Sequence, residues 1–243
     1  LSGTGFEIPD DFWTWIKEFD IDHEIVVYRD QFFVAGLTPM ECDTRERNML
    51  AKAMGPSDWY IQIDSDEYFQ NFGSFVQKLK SFSTASPTTI TCRVVTLFKH
   101  LKSGFLLIDE SYEALSFETN NPVYTVARNN TTGNQIVEWP DVVLHQSWAR
   151  EPEEIQLKLQ NWSHKDDFNT QSFFNIWQAI DEFNYHCLRN FHPLSPPTWP
   201  KLLLVNGNLN HILNSGELNL IRGESHHLKK KSLMSRNWKE IKS

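Results

Sequence analysis

Two periods run through the hydrophobic positions of this chain. Ile25-Val26-Val27-Tyr28 predicts a strand over residues 23–28, and Trp59-Tyr60-Ile61-Gln62-Ile63 predicts a second that ends at Asp64. Between them, Arg47, Leu50, Ala51 and Met54 recur at three- and four-residue spacing, which predicts a helix over 43–54 with Thr44 as its N-cap and Gly55-Pro56 as its stop. Strand, helix, strand is a βαβ unit, so an α/β fold with a mostly parallel sheet flanked by helices is expected. Phe72, Phe75, Val76 and Leu79 place a helix in 69–82, and Pro87 opens a β-rich stretch over 88–98. Short strands follow at 105–108 and 123–127. The acids between them, Asp109, Glu110, Glu113 and Glu118, read as solvated loop or hairpin residues.

The later half alternates apolar strand with amphipathic helix. Val142 to Leu144 is a buried strand; Pro152 suits a helix start, with Ile155, Leu159 and Trp162 as its stripe and Glu154–Lys158 as an i,i+4 pair. A longer helix is expected over 171–188, ended by the Pro-rich connector 191–200, and Leu202 to Val205 is a short apolar run. The expected organisation is one domain, with a sheet core over 1–150 and a helical closing part over 151–243.

The expected strand at 59–64 ends in three carboxylates, Asp64, Asp66 and Glu67. Residues two apart on a strand share a face, so Asp64 and Asp66 can point together, an arrangement suited to a hard divalent cation, Mg²⁺ or Mn²⁺, carrying a phosphate ester. A solvated acidic turn is the plainer alternative. His145 follows the Val142–Leu144 run at the same expected sheet edge, where a neutral imidazole can complete a metal site or bond a backbone carbonyl.

Composition narrows the class. The chain has 243 residues and a net charge of −8, enough for one enzyme domain and the wrong sign for a dedicated nucleic-acid binder. No run of about 18 apolar residues predicts a transmembrane helix, and no signal-peptide pattern opens the chain. Cys42, Cys92 and Cys187 are too few and too scattered for a disulfide framework. A reducing, cytoplasmic setting is therefore expected, and the sequons at Asn129, Asn130 and Asn161 read as chance matches. The tail carries His226, His227 and Lys229 to Lys231; it reads as solvated, with closure over a diphosphate or contact with acidic lipid at the cytoplasmic face as alternatives.

Arg47-Asn48 in a helix, Ala53-Met54-Gly55 at its end, then Asp58-Trp59-Tyr60-Ile61-Gln62-Ile63-Asp64-Ser65-Asp66-Glu67 resembles the family 2 glycosyltransferases of the GT-A (Rossmann-like) fold. The likeness is strong over 43–69 and diffuse beyond. It implies transfer of a sugar from a nucleotide diphosphate sugar to an acceptor hydroxyl, on a glycan or another molecule, with Mn²⁺ or Mg²⁺ as cofactor. Asp66 would be the main metal ligand, Asp64 would lie near ribose and metal, Arg47 would approach the nucleotide, and His145 would be a third ligand. If the reaction inverts configuration, Glu153-Glu154 stand where the family has a Glu-Asp pair, which makes Glu154 the expected base and Asp166-Asp167 the rival pair. The family's two N-terminal base-binding turns are missing; Ser2-Gly3-Thr4-Gly5 is a poor remnant, so an incomplete N-terminus is expected. A catalytically silent carbohydrate-binding or scaffold protein and a nucleotidyltransferase are the alternative readings.

Overall fold

The computed structural model describes residues 7–83, 85–109, 114–119, 122–126, 129–130 and 135–214. The expectations for Ser2 to Gly5, Glu110, Glu113 and the basic tail lie outside these residues. The fold is mixed α/β, and its sheet departs from the one expected. The strands are β1 (Glu67–Phe69), β2 (Thr88–His100), β3 (Gly104–Asp109), β4 (Ala114–Glu118), β7 (Gln135–His145) and β8 (Lys201–Asn206), with β5 (Tyr124–Val126) and β6 (Asn129–Asn130) forming a separate pair. The large sheet has the order β1-β7-β2-β3-β8, with β4 also beside β2. Only β2 and β7 run parallel; every other pair among the described residues is antiparallel. The sheet is therefore mostly antiparallel, not mostly parallel.

The expected βαβ unit is not formed. Residues 23–28 carry the right side chains but pair with no strand, and Val26 is 88% exposed. Local turn chemistry wins there, because the backbone N–H groups of Glu24 and Ile25 donate to the Asp20 carboxylate. Tyr60 forms an isolated bridge, residues 61–64 run outside any strand, and the paired strand begins at Glu67. The acids thus lie in a turn that enters an antiparallel edge strand.

The helices follow the periodicity more closely. Helix α1 spans Asp10–Phe19 and buries no residue. Helix α2 spans Pro39–Met54, longer than expected, because Thr38 and Glu41 form a capping box around Pro39. Thr44 is internal, its hydroxyl donating to the Met40 carbonyl. Gly55, at φ 69°, ends the helix as its sequence implied. Helices α3 (Phe72–Ser81), α4 (Pro152–Asn161), α5 (Thr170–Ala179) and α6 (Leu209–Asn214) complete the set. None is long and apolar enough to cross a membrane.

Helix α5 stops well short of Leu188. Asp181 accepts from the Phe183 and Asn184 N–H groups, Asn184 donates to the Ala179 carbonyl, and a short 3₁₀ turn follows at Tyr185–Cys187. Lys99 of β2 seals the end: its Nζ donates to the carbonyls of Trp177, Gln178 and Ile180 at 2.8, 2.9 and 2.5 Å.

Strand β2 is the centre of the core and is buried on both faces. Ile90, Cys92 and Val94 pack with Phe75 and Leu79 of α3, while Val95 and Leu97 pack with Leu144 and Ile212. Further along, Phe98 joins Trp148, Ile155, Phe173 and Trp177. That last cluster mixes residues from both sides of position 150, and β8 belongs to the same sheet. Each fully buried aromatic or branched chain here contributes about 1.5–3 kcal/mol.

Candidate active site

The acidic turn is fastened to the carboxyl end of β7. Glu67 pairs with His145 across the strands, and the Gln146 N–H donates to the Asp66 carbonyl at 2.8 Å. Glu67, the third acid, is buried and serves the turn itself: its Oε2 accepts from the Asp64 N–H at 2.8 Å. Such a bond leaves Asp64 and Asp66 as the carboxylates able to face a ligand.

These two carboxylates take different cationic partners. Asp64 is forked by Arg47, with Nη1 and Nη2 at 3.2 and 3.3 Å, while Arg47 Nε holds Asp43 at 2.9 Å. Asp66 takes the Arg150 Nη2 at 2.6 Å and faces His145 Nε2 at 3.6 Å. The acids lie in a turn, so the two-residue alternation of a strand, on which their expected shared face rests, does not apply to them. Arg47 keeps an ion pair to Asp43 along its helix and adds a contact to Asp64.

Electrostatics follow from these pairings. Burial opposes the charge on Arg47, but Asp64 and Asp43 more than offset it and raise its pKa. Burial, reinforced by Asp43, raises Glu46 on the same helix. Asp66 is also desolvated, yet the His145 ring, Arg150 and Lys158 hold its carboxyl well below the usual carboxylate range.

No group of three or more His, Cys, Asp or Glu side chains that could hold a metal occurs among the described residues. Two donors remain. Ligands on adjacent positions of a cation such as Mg²⁺ lie roughly 3 Å apart, so Asp66 Oδ2 and His145 Nε2 fit as a pair, and Mg²⁺ commonly completes such a shell with water and substrate phosphates. Asp64 is not in that pair while Arg47 holds it.

Of the expected acid/base residues, Glu154 and Asp167 take other roles. Glu154 Oε2 accepts from the Glu151 N–H at 3.1 Å, a cap at the start of α4. Glu153 and Asp166 are exposed, and Asp167 is paired with His164 Nδ1 at 2.7 Å. Among the described residues no hydrogen bond or ion pair joins Glu153, Glu154 or Asp166 to the acidic turn. The expected Glu154–Lys158 pair is replaced: Lys158 Nζ reaches inward to the Ser147 carbonyl and hydroxyl, both at 2.9 Å, and lies 4.7 Å from the Trp148 ring centre. Asp109, read as solvated, is paired with Lys201 at 3.3 Å.

Arg150 and Lys158 are the site residues that the sequence reading missed. Arg150 lies five positions after His145, a spacing that signals proximity only once β7 is known to end at His145. Asn48, beside Arg47 in the motif, has a structural role of its own. Its amide donates to the Tyr124 carbonyl at 2.9 Å and accepts from the Tyr124 N–H at 2.8 Å, which fixes β5 against α2. The adjacent residues Arg47 and Asn48 thus anchor the acidic turn and β5.

Comparison with family models, curated proteins and solved structures gives no match.

Proposed function

We propose that this chain is a metal-dependent glycosyltransferase of GT-A-like architecture that moves a sugar from a nucleotide diphosphate to an acceptor hydroxyl. The reading is carried by one observation: Asp66 and His145 face each other at 3.6 Å where the acidic turn meets the end of β7. Arg47, Arg150 and Lys158 surround the acids, so anionic phosphates would meet a cationic rim. Asp66 and His145 would hold the cation, which when bound neutralises charge on the departing diphosphate. Arg47 would orient the nucleotide through its fork, since a planar guanidinium matches phosphate oxygens. Inversion would require a carboxylate to accept the acceptor's proton, and Glu154 is the candidate, with one oxygen engaged by the Glu151 N–H. That engagement favours a second reading, a chain that binds the donor without turnover.

Calorimetry with UDP and GDP, with and without Mn²⁺, tests the proposal. Mn²⁺ should tighten nucleotide binding in the native chain, and Asp66→Ala and His145→Ala should each remove most of that gain. Equal metal dependence in all three proteins would refute the site. Sugar-nucleotide hydrolysis or transfer by the native chain, lost in Glu154→Gln with binding intact, would exclude the non-catalytic reading.

A further inference from the structure

Arg150 occupies the acceptor that a cation would need. Its Nη2 donates to Asp66 Oδ2, the same oxygen that faces His145 Nε2. Guanidinium and metal therefore compete for one carboxylate oxygen. The guanidinium is also incompletely used where it sits, because Arg150 Nε is buried and has no hydrogen-bond partner. Arginine presents five donors in a rigid fork, and a buried donor left unmatched disfavours the arrangement that leaves it so. A phosphate offers several acceptor oxygens in the geometry of that fork. Arg150 lies at a bend between the end of β7 and the start of α4, outside any ladder or helix that would fix its backbone.

On the reading that Asp66 and His145 hold a divalent cation, we infer that Arg150 is the built-in counter-cation of the unloaded site and passes to the donor's diphosphate when metal arrives. Metal alone must break the Arg150–Asp66 pair and binds weakly. Nucleotide diphosphate receives the released guanidinium and restores what the metal removed. The two ligands are thereby coupled, each strengthening the other by the same factor.

The test is a binding square by calorimetry: MnCl₂ alone, UDP alone, and each in the presence of the other, with GDP run in parallel. In Arg150→Gln, Mn²⁺ alone should bind about 5-fold tighter or more, while the factor by which Mn²⁺ strengthens UDP binding falls toward unity. Opposite signs in the two arms are not produced by a general loss of structure, and Arg150→Lys, which keeps charge but not the fork, should lie between. Melting curves identify any misfolded variant, in which case Arg150→Lys carries the test. Mn²⁺ affinity unchanged by both substitutions, or coupling unchanged by both, overturns the exchange while leaving the metal site standing. Failure of the native chain to bind Mn²⁺ at all removes the metal site and this inference together.

Discussion

Arg47 joins Asp43 on its own helix to Asp64 on the acidic turn, so its loss would leave two carboxylates without their cation. Asp64 is 37% exposed, and solvent screening keeps the cost low, about 1 kcal/mol. Arg47→Ala should therefore lower the denaturant midpoint modestly and weaken nucleotide binding; Arg47→Lys should recover part of the stability but less of the binding. No change in either measurement would contradict both roles. Cys92 gives a prediction independent of function. Burial, with Asp141 adding to it, pushes its thiol up to about 12, above the ordinary value near 8.5 in an unfolded chain. Its contribution to stability is whole below that unfolded value and is lost as pH rises toward 12. Between pH 8 and pH 10 the native chain should lose on the order of 1–2 kcal/mol more than Cys92→Val in urea titrations; parallel losses would show that the thiol is not buried as described. At this scale the sequence was informative where residues sit side by side in the chain. Asp66 and Arg47 could be singled out, whereas Arg150 and Lys158 act through a fold that brings separate segments together.

Elements with a complete local signal were legible: α4 begins at Pro152 as expected, α3 runs on the expected apolar spacing although Phe69, expected within that helix, closes β1, and β2 is as β-branched as its burial demands. Errors arose where an element depends on something distant. Residues 23–28 and 61–64 have strand-like side chains, but a strand exists only when a neighbour completes its hydrogen bonds. The start of α2 is encoded locally, in Thr38-Pro39 and Glu41 rather than at Thr44, whereas the end of α5 is set partly by Lys99, many residues earlier. Two substitutions probe these joints. Gly104 lies so close to β8 that an added methyl group would strike the Val205 carbonyl, so Gly104→Ala should cost about 1–3 kcal/mol by denaturant titration. Lys99→Met keeps much of the stem and removes the charged donor from three carbonyls; it should destabilise by about 1–3 kcal/mol, with faster amide exchange over residues 176–185. Wild-type behaviour in either variant would show that the contact does not restrain its element.

Across the molecule, order is uneven. The sheet and the helices α3, α4 and α5 share the buried clusters, while residues 7–37 contribute no residue to them. Native-state hydrogen exchange should therefore find β2 and β7 opening only with global unfolding and residues 20–34 exchanging far sooner; slow exchange over 20–34 would contradict this division. A long-range contact ties α2 to β5. The two bonds between Asn48 and Tyr124 close a chain loop spanning 76 residues. That closure carries an entropic cost which only the assembled interior can offset, so the clamp belongs to the last stage of folding. Asn48→Ala should leave the refolding rate nearly untouched and accelerate unfolding, making the amide a latch on the lifetime of the folded chain.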